Sequence, residues 1–340
     1  MNTYLALVFR RDPLQIIAFQ SYGTDQHFYM RGRALEDETI NLEQKGLFAL
    51  FINSWKRFES DEIKFADLQI KLPSGQKLNT STDDHGYFKI DEPLGRLRAM
   101  ANAEGWLKVE ISYNGQRTRD IQNSNRFPGE MLIPSADVDF GVISDIDDTI
   151  IHTGVASTLK WKLLINSIFR SASNRIPLEG AAEFYHKLHR GISGANANPI
   201  FYVSHSPWNL YRYLEFFLKQ NDFPKGPILL RSFKDIFKKK TGDQPQKHIE
   251  ILNILKAYPE LKFILIGDSG ERDADIYIDI ANTYPYQVAA IYLRVIKHRK
   301  KMQRVRSLFE RFDTVPVLLV ESSAQAIEHA RSHGFINKYV

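Results

Sequence analysis

From about Asp137 onward the chain repeats one pattern, and that pattern limits its fold more than any other feature. Compact apolar runs at residues 138–144, 199–203, 262–266, 288–293 and 315–320 alternate with amphipathic helical stretches at 178–190, 207–220, 246–257 and 322–332. Short apolar runs separated by helices of this length predict a mainly parallel sheet covered by helices on both faces. Such sheets bind ligands beyond the carboxyl ends of their strands. The residues that follow each apolar run are therefore the first place to look for chemistry.

The first 135 residues read differently. Residues 15–20, 27–35, 65–72, 87–90 and 106–113 are strand candidates, several alternating with period two, and 41–58 reads as one helix. Pro73-Ser74-Gly75 and Asp83-Asp84-His85-Gly86 supply turn signals between them. The spacing predicts a small antiparallel sandwich. The expected division is an accessory β domain at 1–135 and an α/β domain at 136–340.

Composition narrows the function classes. A hydrophobic fraction of 43% and an aromatic fraction of 12% describe a folded globular chain. No apolar run approaches the roughly 18 to 20 residues that span a bilayer. At the N-terminus, MNTYLALVFRRDP puts its arginines after the apolar run, the wrong order for a secretory signal. With no cysteine, disulfides, thiolate catalysis and Cys-based zinc sites are excluded. These points predict a cytoplasmic protein. Lys and Arg number 17 against 18 acidic residues in 1–135, and 28 against 22 in the remainder. The basic excess thus lies in the half that holds the chain's densest acidic motif, which suits an anionic ligand or surface.

That motif is GVISDIDDTI, residues 141–150, with Asp145, Asp147 and Asp148 at the end of a strand-like run. Aspartate is a poor strand former, and crowded carboxylates repel. A cation or a phosphate-handling site would account for the cluster. The next run ends in Ser204, within IFYVSHSPWNLY; KFILI is followed by GDSGERD, residues 267–273; and Lys247 begins the helix leading into that strand. Parallel topology brings these ends to one edge. The set fits phosphoryl transfer: a carboxylate nucleophile, a second carboxylate as acid and base, a hard Mg²⁺ ion on oxygen ligands, and a hydroxyl and an ammonium for the phosphoryl oxygens.

DxDxT after an apolar strand, a strand-end Ser, a later Lys and GDxxxxD, in that order, resemble the four motifs of the haloacid dehalogenase superfamily. More narrowly, VISDIDDTI, YVSHSPWNLY and FILIGDSGERDADIY resemble the catalytic domain of the actin-patch-associated phosphatidate phosphatase family, over roughly residues 130 to 295. The resemblance implies a Rossmann-like parallel sheet and Mg²⁺-dependent hydrolysis of phosphatidate to diacylglycerol and phosphate. It implies Asp145 as nucleophile and metal ligand, and Asp147 as general acid and base with its backbone carbonyl on the metal. Thr149 would orient that turn, and Ser204 and Lys247 would hold the phosphoryl group. Asp268 would complete the metal site with Asp273 in support. Asp148 has no assigned role beyond a helix cap or a supporting contact. His205 departs from the family's pattern, where Asn or Ser is expected. Alternatives are the same chemistry on another lipid phosphate or a soluble ester, and a phosphate-binding module without turnover.

Three further features stand beside the motifs. Ser206, before Pro207, reads as a helix N-cap. Residues 158–169, TLKWKLLINSIF, could be a lid, a membrane-lying helix or part of the core. Residues 297–306 hold six Lys and Arg and no acid, a run suited to anionic lipid or to a solvated helix face. No sequence-reading helix motif or aromatic–basic platform accompanies it, so nucleic acid is not expected as a partner. Oligomeric state is not readable from the sequence.

Overall fold

The computed structural model describes residues 13–36, 62–115, 120–146, 179–231, 245–270 and 272–337, apart from the side chain of Asn209. Asp147, Asp148 and Thr149, the 41–58 helix and the 158–169 stretch lie outside the described residues. The chain divides into two compact units, Met1–Ile133 and Pro134–Val340.

Among the described residues the first unit holds two sheets. In one, β1 (Leu14–Phe19), β3 (His27–Glu36) and β6 (Tyr87–Pro93) lie in the order β1-β3-β6, all antiparallel. The other runs β2 (Ser21–Tyr22), β8 (Phe127–Leu132), β7 (Trp106–Tyr113), β4 (Asp67–Lys71) and β5 (Lys77–Ser81). Alternation decides which side chains turn inward: in β4, Leu68 and Ile70 are buried while Asp67 and Lys71 are exposed. Ile16, Phe28, Met30 and Ile90 of the first sheet share one core with Leu68, Ile70, Leu107, Ile111 and Phe127 of the second. Each such fully buried side chain contributes about 1.5–3 kcal/mol relative to exposure. The turns form where the sequence signals them. Gly75, at φ +86°, donates its N–H to the Leu72 carbonyl at 2.9 Å, a backbone region that favours glycine. Asp83 Oδ1 accepts from the His85 and Tyr87 amides at 2.8 and 2.9 Å.

The second unit is α/β, built on a six-stranded, wholly parallel sheet in the order β11-β10-β9-β12-β13-β14. The strands are β9 (Gly141–Asp145), β10 (Ile200–Pro207), β11 (Ile228–Arg231), β12 (Phe263–Asp268), β13 (Val288–Arg294) and β14 (Val317–Val320). Helices α1 (Ala181–Arg190), α2 (Tyr211–Gln220), α3 (Gln246–Ala257), α4 (Asp273–Thr283), α5 (Arg299–Phe309) and α6 (Ser323–Ser332) alternate with them. Every residue of β9 and of β12 is buried, as expected for central strands covered on both faces. The chain begins in the middle at β9, winds outward through β10 and β11, and crosses back to β12. Strand order therefore reverses between β9 and β12, the place where such folds bind ligands.

One expectation changes. Ser206 is not a helix cap: β10 continues through Pro207, the helical turn starts at Trp208 without a side-chain cap, and the Ser206 amide donates to Ser204 Oγ at 2.9 Å. The strand continues past the expected cap because its pairing with β11 shifts register between Val203 and Pro207. The basic run at 297–306, read as suited to anionic lipid or to a solvated helix face, lies largely on a helix, α5.

Candidate active site

Asp145 is the last residue of β9, and Asp268 the last of the adjacent β12. Register sets their levels. Ile266 pairs with Ser144 and Val203 with Asp145, so Asp268 and Ser204 both stand one step beyond Asp145 on the strands flanking it. Asp145, Ser204 and Asp268 are all buried. Three sequence-distant motifs thus meet at the carboxyl edge, at the reversal of strand order.

Lys247 arrives from α3. Ile251, Ile254 and Leu255 seat that helix on the core, and Lys247, one residue in from its start, is buried with them. Its Nζ lies 2.8 Å from Asp145 Oδ1 and donates to Asp273 Oδ1 at 2.6 Å. Removing an ammonium from water costs several kcal/mol, recovered only when good partners surround it. Here two carboxylates do so.

Asp273, the first residue of α4, is a bridge between elements. Its Oδ1 accepts from Lys247 and its Oδ2 from the Asp268 amide at 3.2 Å. Both oxygens are thus engaged by protein donors, so Asp273 acts by holding Lys247 and the Asp268 backbone in place. Gly267 makes this approach feasible: a Cβ there would stand 2.4 Å from Asp273 Oδ2 and 2.9 Å from the Tyr277 ring. The loop after Asp268 is fixed as well. The Gly270 amide donates to Asp268 Oδ1, and Ser269 donates through both its amide and its hydroxyl to the Arg294 carbonyl, at 3.0 and 2.6 Å.

Some supporting residues carry no motif. Ser144 Oγ donates to the Asp145 carbonyl at 2.8 Å and meets the Tyr185 hydroxyl at 2.5 Å. Burial pushes the Tyr185 phenol well above its ordinary range, so it stays neutral. The Tyr277 hydroxyl donates to the Ile266 carbonyl at 2.9 Å, one turn from Asp273. In sequence both tyrosines look like apolar-face residues of α1 and α4; a hydroxyl beside a strand-end carbonyl leaves no signature. His205 follows Ser204, and burial, then the charges of Lys247 and Arg231, pull its imidazole down to about 3, so it is neutral near pH 7. Its buried Nδ1 has no hydrogen-bond partner among the described residues.

The donor chemistry suits a hard divalent cation. Asp145 and Asp268 offer buried carboxylate oxygens from neighbouring strand ends, with no nitrogen or sulfur ligand in the set. Among the described residues no cluster of three or more His, Asp or Glu side chains is assembled for a metal, and Asp147 lies outside them.

Residues 140–295 match the family described as "Phosphatidate phosphatase APP1, catalytic domain". The similarity to this family lies in that segment, somewhat under half of the chain. It runs from just before β9 to just after β13 and so holds every described site residue. A curated relative, "Phosphatidate phosphatase APP1" of Saccharomyces cerevisiae, is 37% identical over 173 residues, which cover 50% of this chain and 28% of that protein. An uncharacterized protein of Schizosaccharomyces pombe is 26% identical over 283 residues, covering 81% of this chain and 45% of its own length. The chain spans less than half the length of either relative.

Proposed function

We propose that the α/β unit is a Mg²⁺-dependent phosphatidate phosphatase that works through a phosphoryl group carried on Asp145. The same reading makes this unit a haloacid dehalogenase-type domain and the β unit an accessory sandwich. One observation carries the chemistry: the buried Lys247 ammonium, 2.8 Å from Asp145 Oδ1 beside the buried Asp268, at the reversal of strand order. The substrate class comes from similarity to the yeast protein of that name.

In this reading an Asp145 carboxylate oxygen attacks phosphorus, and the bond from phosphorus to the glycerol oxygen breaks. Asp147 donates a proton to the departing oxygen, releasing diacylglycerol. Asp147 then takes a proton from water, whose oxygen attacks the aspartyl-phosphate; the phosphorus–Asp145 bond breaks and inorganic phosphate leaves. Thr149 orients the Asp147 turn. The Ser204 hydroxyl and Lys247 ammonium stabilise the negative charge on the transferring group. Asp273 keeps Lys247 at its station. Bound Mg²⁺, on oxygens of Asp145 and Asp268 and the Asp147 carbonyl, would offset the repulsion between phosphate and carboxylates.

Phosphate release from phosphatidate in mixed micelles, compared with a panel of soluble esters, tests the reading. Phosphatidate should be the preferred substrate, and chelation of divalent ions should abolish turnover. Equal or faster hydrolysis of soluble esters would remove the lipid assignment. Full turnover in chelator would remove the metal.

A further inference from the structure

Apart from Arg306, in the last turn of α5, the cations of the basic run at 297–306 divide into two sets. One set is committed to the protein. Lys301 Nζ donates to the Gly270 carbonyl at 2.5 Å, Arg304 donates to both oxygens of Asp275, and between them Met302 Sδ accepts from Ser269 at 2.9 Å. These contacts fasten α5 to the loop after Asp268 and to the first turn of α4. The second set is Lys297, Arg299 and Lys300. All three are exposed, and none has an ion pair among the described residues. Because Lys301 reaches Gly270, two residues past Asp268, this set stands at the carboxyl rim of the sheet, beside the candidate site.

Folding stability does not explain the second set. The first turn of α5 holds Arg299 and Lys300 and no acid, and only Met302 and Val305 of the helix are buried. Cations in a first turn oppose the helix dipole. A local rule broken without compensation from the protein points to a use outside it.

We propose that Lys297, Arg299 and Lys300 form a docking surface for a bilayer carrying anionic phospholipid, holding the carboxyl rim against the membrane. This rests on the reading that the site acts on a lipid phosphate, because a substrate anchored in a bilayer must be met at the bilayer surface. The charge is complementary, and these three cations stand together at the carboxyl rim. No Phe, Tyr or Trp is interleaved with the three cations, unlike the stacking platforms that hold single-stranded nucleic acid.

The test is co-sedimentation of the full chain with vesicles of phosphatidylcholine alone or mixed with phosphatidylserine. Phosphatidate is left out, so binding does not depend on turnover. The chain should bind only the anionic vesicles, and less as salt rises. Replacing all three cations by Gln should weaken that binding about a hundredfold, and Lys300→Gln alone about fivefold. Hydrolysis of a soluble ester should stay as in the unaltered chain, and the thermal melt should not fall. Equal binding to both vesicle types would overturn the proposal, as would unchanged binding by the triple variant. Binding to RNA that exceeds vesicle binding and is lost in the same variant would assign the surface to nucleic acid and overturn it too. Failure of the phosphatase reading would appear separately, as absent turnover in micelles.

Discussion

Two groups of charges, one in each unit, use the same residue types to opposite ends. In the β unit, Asp91 pairs with His27 and with Lys89, each at 2.6 Å, with side-chain exposures of 42%, 44% and 54%. At the carboxyl edge, Lys247 pairs with Asp145 and Asp273 at 2.8 and 2.6 Å, with exposures of 1%, 0% and 1%. Distances are alike, and solvent is what differs. Water already satisfies the exposed group, whose pairs are worth about 0–1 kcal/mol. The buried group has given up that water, so each partner depends on the others. Burying apolar side chains there would serve stability as well or better. The proposed phosphoryl transfer is what would need charge in that position.

The sharpest way to break this contrast is Lys247→Ala. It leaves Asp145 and Asp273 buried beside each other without their cation. Urea unfolding should show a loss of about 3–5 kcal/mol, and phosphate release should disappear. A loss under about 1 kcal/mol would place the buried group with the exposed one. Asp273→Asn should come next. It keeps the shape and removes the charge that holds Lys247, so kcat should fall about a hundredfold with little change in KM. A change confined to KM would show that Asp273 serves substrate binding instead.

His205 sharpens the comparison through pH. Its folded-state value, about 3, lies below the ordinary 6.5. Protonation therefore favours the unfolded chain, and stability held above 6.5 declines as pH falls toward 3. Across that window the native chain should lose about 1.4 kcal/mol per pH unit more than His205→Asn, measured by unfolding at each pH. Parallel curves would show that the imidazole is solvated after all. The smallest effect belongs to Asp91. A hydrogen bond from Lys89, and then one from His27, hold its carboxyl below the ordinary 3.8. The contribution is present above 3.8 and is lost as pH falls through the lower folded value. Asp91→Asn should cost only a few tenths of a kcal/mol near neutral pH.

Much of the α/β unit could be read before its structure. The ends of β9 and β12 announce themselves because an apolar run stops at a polar residue, whereas β10 runs on past Ser204 to Pro207; Gln246–Ala257 matches its expected span. What escaped did so for physical reasons. β11 has four residues, directly after Phe223-Pro224-Lys225-Gly226-Pro227, too short to show a period. β8 contains Pro128 and Gly129, both poor strand formers. β5 buries only Leu78, and α5 only Met302 and Val305, so neither shows a clear apolar face. At the site, the four motifs name residues but not their struts. Asp273 could be numbered from its spacing, whereas its double engagement with Lys247 and the Asp268 amide depends on Gly267 lacking a side chain. Ser144 and Tyr185 support Asp145 through contacts that no local pattern records.

The most direct measurement is an acid-quenched single turnover with labelled phosphatidate, followed by peptide mapping of the protein. The account predicts a transient phosphoryl group on Asp145, absent in Asp145→Asn together with turnover. Label on Ser204 or His205, or full turnover by Asp145→Asn, would contradict it.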